Sequence, residues 1–305
     1  MAERIIRIVP YGRLANQMFQ LMMAERLRRS IKGAKIVGHS LPEWNLVGEK
    51  PPMENALSVT VRASVVPIEQ VIEFANAVDY IDIKIMSVTL RYAYFRTLLD
   101  HFRALFRDPK VPEYTEAPKP DNLVIHIRLG DALTGSNRSY MPLPISWYDE
   151  LIQRTGLEPV FVGEIGTDIY SETLQRRFPT ARFLTQDRMR DFHFVRSATH
   201  VVPAIGTFSW LATWLSETAR TIYFPVAGLF HQTAIPDMDL LPVDDPRYRF
   251  YRTALQKWDA RPDQLDFLLN SNHDLRPVSR SHLKTFYSPR IGTYGLDIKP
   301  WPLVR

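Results

Sequence analysis

Between residues 121 and 225 short apolar runs alternate with segments of helical period, joined by connections of a few residues. The runs are NLVIHI (Asn122–Ile127), PVFVG (Pro159–Gly163), RFL (Arg182–Leu184), HVVPA (His200–Ala204) and TIYF (Thr221–Phe224). They are rich in β-branched and aromatic residues and too short for buried helices, so they read as strands. Between them, Ser146 to about Arg154, Ile169–Phe178, Asp191–Ala198 and Trp210–Glu217 read as helices, with Ser146 in the N-cap position. Strand–helix alternation with short links predicts a parallel sheet covered by helices on its faces.

The N-terminal part repeats the theme less regularly. RIIRIV (Arg4–Val9) predicts a strand, the stretch from Tyr11 to Gln17 a turn, and Gln17–Ile31 a helix whose Met18, Phe19, Leu21, Met22, Ala24, Leu27 and Ile31 form a core-facing stripe. A second strand is expected over Lys35–Val37. Residues 40–67 read as irregular, broken by Pro42, Pro51, Pro52 and Pro67. A helix over Ile68–Ala77, a strand over Tyr80–Val88 and an aromatic-rich helix over Tyr92–Phe106 follow. DPKVPEYTEAPKPD (Asp108–Asp121) holds four prolines and few large apolar residues, which marks a domain boundary. Beyond Pro225 the pattern dissolves, apart from a helix expected over Tyr248–Lys257. The organisation expected is a Rossmann-like domain over 1–119, a second over 120–240, and an extension over 241–305 that packs across both.

Composition narrows the functional classes. At 305 residues, with 45% hydrophobic and 23% charged residues, the chain has the make-up of a globular protein. It has no cysteine, which excludes disulfides, thiolate metal sites and a thiol nucleophile, and suits a reducing cytoplasm. The first residues carry charges every few positions, unlike a secretory leader, and no run approaches the roughly 20 apolar residues of a membrane span. The net charge of +5 is spread along the chain instead of concentrated among aromatics, which argues against nucleic acid. It fits an anionic small molecule, or loose contact with the inner face of an anionic membrane.

The chemistry concentrates at NLVIHIRLGD (Asn122–Asp131). A strand that ends at Gly130 places His126, Arg128 and Asp131 at its carboxyl end, where open α/β sheets keep their ligand crevices. Arg128 presents a rigid fork of donors suited to phosphate oxygens, and His126 and Asp131 accept protons. Glu164, just past PVFVG, is a further candidate base. Each has a plainer reading: Asp131 as the partner that orients Arg128, His126 as a histidine fixed by its strand, and Asp191 as the cap of its helix. The turn at Gly12 can present backbone N–H groups to an anion, although a single glycine is far less specific than a GxGxxG fingerprint.

Three stretches together resemble one family. GRLANQMFQ (Gly12–Gln20) is similar to the GGLGNQMFQ turn of bacterial and animal α-1,2-fucosyltransferases, and HIRLGD (His126–Asp131) to the HxRxGD motif these share with α-1,6- and protein O-fucosyltransferases. DFHFVRSATHVVPAIGTFSWLATWLS (Asp191–Ser216) resembles their DF…NSTFSWW…WL segment. The resemblance covers residues 12 to 216 and implies a GT-B fold, two Rossmann-like domains facing across a cleft. It implies GDP-L-fucose as donor, a glycan acceptor such as a bacterial cell-surface polysaccharide or lipid-linked oligosaccharide, inversion at the anomeric carbon, and neither metal nor cofactor. Carried over, Arg128 grips the diphosphate. Thr207, Phe208 and Ser209 supply hydrogen bonds at a helix start, Asp191 matches the DF aspartate, and Gly12, Arg13 and Asn16 approach the donor from the other domain. Asp131, His126 and Glu164 are the candidate bases.

The chain departs from that pattern at several positions. Arg13 and Ala15 replace glycines, Ile205, Gly206 and Thr207 replace NST, and Leu211 replaces the second tryptophan. These changes leave open another nucleotide sugar, or a non-catalytic binder of nucleotide sugars or glycans. Asp237, Met238 and Asp239 spell the DxD of metal-dependent glycosyltransferases, but in a proline-flanked loop outside the strand pattern.

Overall fold

A computed structural model describes residues 3–54, 57–107, 116–231, 235, 237–255, 257–272, 275–285 and 296–299. The chain divides into two compact units. One comprises Met1–Asp108, Asp237–Leu240 and Pro289–Arg305, the other Pro109–Pro236 and Leu241–Ser288. Both are α/β units built on parallel-dominated sheets.

In the first unit, β1 (Glu3–Ile8) leads into α1 (Leu14–Arg28) and β2 (Ala34–Val37). A short hairpin of β3 (Ser40–Leu41) and β4 (Leu46–Val47) follows, then β5 (Ser58–Val61), α2 (Ile68–Ala77), β6 (Tyr80–Ile85) and α3 (Leu99–Leu105). The sheet runs β5-β6-β1-β2 in parallel, with Leu296–Lys299 antiparallel along the outer side of β5. Met18, Phe19, Met22, Met23 and Leu27 of α1 are fully buried, so this stripe is core. The strand β5 lies inside the segment expected to be irregular, and all of its four residues are buried. The helix expected over Tyr92–Phe106 is instead two 3₁₀ turns, Tyr92–Tyr94 and Arg96–Leu98, before α3.

The second unit comprises β7 (Asn122–Ile127), α4 (Gly130–Leu133), α5 (Ile145–Thr155), β8 (Glu158–Gly163), α6 (Ile169–Arg177), β9 (Arg182–Leu184) and α7 (Arg188–Ser197). Then come β10 (His200–Val202), α8 (Thr207–Trp214), β11 (Thr221–Val226), β12 (Tyr248–Arg252), α9 (Pro262–Asn270), β13 (Arg276–Val278) and α10 (Arg280–Thr285). The strand order is β13-β12-β11-β10-β7-β8-β9, with only β13 antiparallel. Reading from β7, the chain first builds outward through β8 and β9, then returns to add β10, β11 and β12 on the other side. The order therefore reverses between β7 and β10, the switch point at which doubly wound sheets bind ligands.

Two local expectations are corrected here. Residues 248–252 are not the start of a helix but strand β12, with Tyr248 and Phe250 buried and Arg249 exposed, and β12 and β13 add two strands to the second sheet. Ser146 does not cap α5. Pro144 holds that position, and Ser146 lies within the helix with its hydroxyl against Ser271.

Among the described residues no helix is long and apolar enough to cross a membrane. The first sheet buries an ion pair: Arg7 Nη2 lies 3.0 Å from Asp82 Oδ2, and Asp82 is fully inaccessible. Arg7 also donates to the Pro52 carbonyl. Removing one member of such a pair strands the other charge out of water. Asp82→Ala is therefore expected to cost about 3 kcal/mol of stability, read as a lower urea midpoint. An unchanged midpoint would show that the pair carries no structural weight.

Candidate functional site

β7 is buried along its whole length, so its side chains are fixed by the sheet until the backbone leaves it after Ile127. Arg128 is the first residue beyond. Its Nη2 donates to both Asp131 oxygens at 2.9 Å and its Nε to Oδ1 at 3.3 Å, while its guanidinium lies 3.8 Å above the Tyr140 ring centroid. The side chains of Arg128 and Asp131 are 17% and 30% exposed, so this fork is half-shielded and held from two directions. Nη1 makes no hydrogen bond to a described residue. It lies against Gly206, where a Cβ would sit 2.9 Å from it. A side chain at 206 would displace the guanidinium.

Gly206 is also the residue before α8, which no side chain caps. The first backbone N–H groups of a helix lack intrahelical acceptors and point at whatever lies beyond the end. Arg128 Nη1 and the start of α8 thus converge at the end of β7 and β10, at the switch point. Of the three residues expected there, Ser209 has its hydroxyl committed to the Ala204 carbonyl at 2.8 Å, and Thr207 is buried. Phe208 packs between Phe192 and His126, with ring centroids 5.3 and 5.5 Å away. Their backbone, rather than their side chains, is what this turn offers an anion.

His126 is buried, its Nδ1 has no hydrogen-bond partner, and burial with the neighbouring Arg128 charge holds its pKa down at about 3. It is a neutral imidazole at physiological pH. Asp191 lies in the first turn of α7, but the cap of that helix is Asp187, which accepts from the Met189 and Arg190 N–H groups. Asp191 itself is buried with Oδ1 unpartnered, and burial, then the Asp187 and Glu164 charges, push its pKa up to about 7. Glu164 follows β8, is exposed, and accepts the Leu129 N–H on Oε2 at 3.0 Å.

In the first unit, Gly12 and Arg13 form the turn from β1 into α1, and Asn16 lies in the first turn of that helix. Gly12 has φ +72°, and a Cβ there would meet Asn16 Nδ2 at 2.4 Å, so glycine is required. Arg13 is exposed and takes the N-cap position with extended backbone and no side-chain cap. The buried Gln20 ties this turn down, accepting from Tyr11 N at 3.0 Å and donating to the Val9 carbonyl at 2.8 Å. Asp239 of the DMD sequence is engaged through its backbone, donating to the Leu90 carbonyl and accepting from Tyr92 N. Among the described residues no three histidine or carboxylate side chains converge to hold a metal ion.

No protein-family model matches this chain, and no curated protein is significantly similar to it.

Tyr140 and Gly206 are the site residues that sequence reasoning passed over. Gly206 carried a signal, a glycine directly between an apolar strand and a helix. Tyr140 carried none, because a loop places it.

The raised Asp191 pKa has a sign. The folded protein binds a proton that the unfolded chain has lost between about pH 4 and 7, so this group withdraws stability as pH rises through that window and withdraws it fully above it. Asp191→Asn is expected to melt higher than the parent at pH 8, with the gap closing by pH 4. A gap independent of pH would refute the buried-carboxyl assignment.

Proposed function

We propose that the second unit binds a GDP-sugar and that the chain is an inverting glycosyltransferase of GT-B type, transferring L-fucose from GDP-L-fucose to a hydroxyl of a glycan. One observation carries the reading: a guanidinium locked by Asp131 and Tyr140, with Nη1 unengaged beside an uncapped helix start at the switch point. This is a site for a diphosphate. The resemblance of the three motifs to α-1,2-fucosyltransferases supplies the sugar. Asp191 bears on the base: a buried carboxyl with an unpartnered oxygen asks for N–H donors, and guanine presents two adjacent ones, N1–H and N2–H.

In this reading the acceptor oxygen attacks the anomeric carbon from the face opposite GDP and gives its proton to a carboxylate. The bond to the β-phosphate oxygen breaks, and the charge left there is received by Arg128 Nη1 and the α8 N–H groups. Glu164 is the better-placed base. Its Oε2 is pinned by Leu129 N–H while the carboxylate remains exposed, whereas both Asp131 oxygens are occupied by Arg128. His126, neutral and buried, fits a positioning role. Gly12, Arg13 and Asn16 are assigned to the donor on resemblance alone.

A second reading has one observation in its favour. Ile205 is buried and Gly206 has no side chain, so this segment lacks the amide of the family's NST and fits a GT-B enzyme with a different nucleotide sugar.

Arg128→Lys keeps the charge but loses the fork, and GDP affinity measured by calorimetry is expected to fall about 30-fold, equivalent to ~2 kcal/mol. Unchanged affinity would remove Arg128 from the site. Glu164→Gln is expected to abolish transfer with GDP affinity retained, while Asp131→Asn weakens GDP binding by releasing Arg128. Full transfer by Glu164→Gln would reassign the base.

A further inference from the structure

The helix α5 divides its residues between two stripes. Trp147, Tyr148 and Leu151 are buried, with Tyr148 packed on Phe161 of β8 and Trp147 on Tyr251 of β12. Ser146, Asp149, Glu150 and Gln153 follow one another at helical spacing on the opposite side. α9 packs against both α5 and α6, yet the polar stripe is not closed over. It borders an open groove of about 570 Å³, completed by Thr173 and Arg177 of α6 and by residues 269–272 at the end of α9. That volume falls within the roughly 300–1,000 Å³ of small-molecule sites.

The polar groups of this groove hold one another in place. Asp149 accepts from Gln153 Nε2 at 3.1 Å on Oδ1 and from Arg177 on Oδ2, which links α5 to α6. Glu150 accepts the Leu275 N–H on its two oxygens at 3.1 and 3.0 Å, and Arg154 on Oε2 at 3.3 Å. The Ser146 and Ser271 hydroxyls lie 3.3 Å apart, and Asn270 Nδ2 donates to Asp266 at 2.8 Å. Gln153 Oε1, Asn270 Oδ1 and the Asn272 amide make no hydrogen bond to a described residue. Each carboxylate has its own arginine, Arg177 for Asp149 and Arg154 for Glu150, so the charges here are balanced.

We propose that the groove between α5, α6 and the end of α9 binds a neutral oligosaccharide. A sugar hydroxyl donates and accepts at once, and oriented amides, carboxylates and a guanidinium meet neighbouring hydroxyls on both counts. Balanced charge gives a phosphate or a cation little to bind, and among the described residues no three carboxylates or histidines converge on a metal. An apolar ligand would strip water from these polar groups without replacing its hydrogen bonds. The groove is separate from the diphosphate site. Arg128 and Tyr148 line one small cavity on the inner side of α5, so the two sites lie on opposite faces of a helix about 10 Å across. Its role, holding the part of an acceptor chain remote from the attacking hydroxyl, rests on the glycosyltransferase reading above; the groove itself does not.

The test is a printed array of neutral, sialylated and phosphorylated oligosaccharides probed with the full-length protein, followed by calorimetry with the neutral glycan that binds best. The parent protein is expected to bind neutral glycans in preference to charged ones. Gln153→Ala and Asn270→Ala, both at exposed positions, are each expected to weaken that binding about tenfold, with GDP affinity and melting temperature unchanged. Failure to bind any neutral oligosaccharide, or equal affinity in the parent and both variants, overturns the groove as a glycan site. Preference for a sialylated or phosphorylated glycan overturns its assignment to a neutral one. Glycan binding that both variants weaken, in a protein that does not bind GDP, sustains the groove and sinks the donor reading. GDP binding without glycan binding does the reverse, so the two failures are distinguishable.

Discussion

The interaction on which the second unit depends is the Arg128–Asp131 pair at the end of β7. Arg128 leaves a fully buried strand at the point where strand order reverses, and two of its three nitrogens are committed to a carboxylate three residues on. Tyr140 covers one face of the guanidinium and Gly206 leaves room beside it. A half-shielded ion pair of this kind contributes little net stability, because desolvation offsets the attraction. Its consequence is geometric: with Nε and Nη2 committed to Asp131, the remaining nitrogen lies against Gly206 at the start of α8. Preorganised donors of this sort bind an anion with little ordering cost.

The groups around that cation are sorted by burial. His126, behind the strand end, is kept uncharged by desolvation and by Arg128 itself. Asp191 is pushed in the opposite direction, toward its neutral form, by desolvation and by Asp187 and Glu164. Glu164 stays exposed at the rim. The site thus runs from two buried titratable groups, His126 and Asp191, through the Arg128 guanidinium, to the exposed Glu164 carboxylate. In the function proposed above, the buried end takes the planar base, Arg128 the diphosphate and Glu164 the reacting end.

The second sheet was largely legible in the sequence because its strands are buried on both faces and read as continuous apolar runs between glycine turns, as Asn122–Ile127 and Glu158–Gly163 do. β12 was not. Its arginines at 249 and 252 and the residues after it obscure a period of two that only Tyr248 and Phe250 reveal, and those side chains are core only because β11 lies beside them. β5, four residues long, is hidden among prolines and is defined by its pairing with β6. The motif around Arg128 announced the chemistry, but the roles within it depend on contacts no spacing encodes. Asp131 turns out to be saturated by Arg128, Ser209 by the Ala204 carbonyl, and Asp187 rather than Asp191 caps its helix. Tyr140 reaches Arg128 from a loop, and only the fold could place it.

The most direct measurement of the central claim is a calorimetric comparison of GDP, UDP and ADP with the unmodified protein. A diphosphate site flanked by the buried Asp191 carboxyl predicts that GDP binds and that UDP and ADP bind at least tenfold more weakly. Equal binding of all three would retain the anion cradle and contradict the assignment of Asp191 to guanine. Preference for UDP, or no nucleotide binding at all, would contradict the account of the switch-point site as the home of a GDP-sugar.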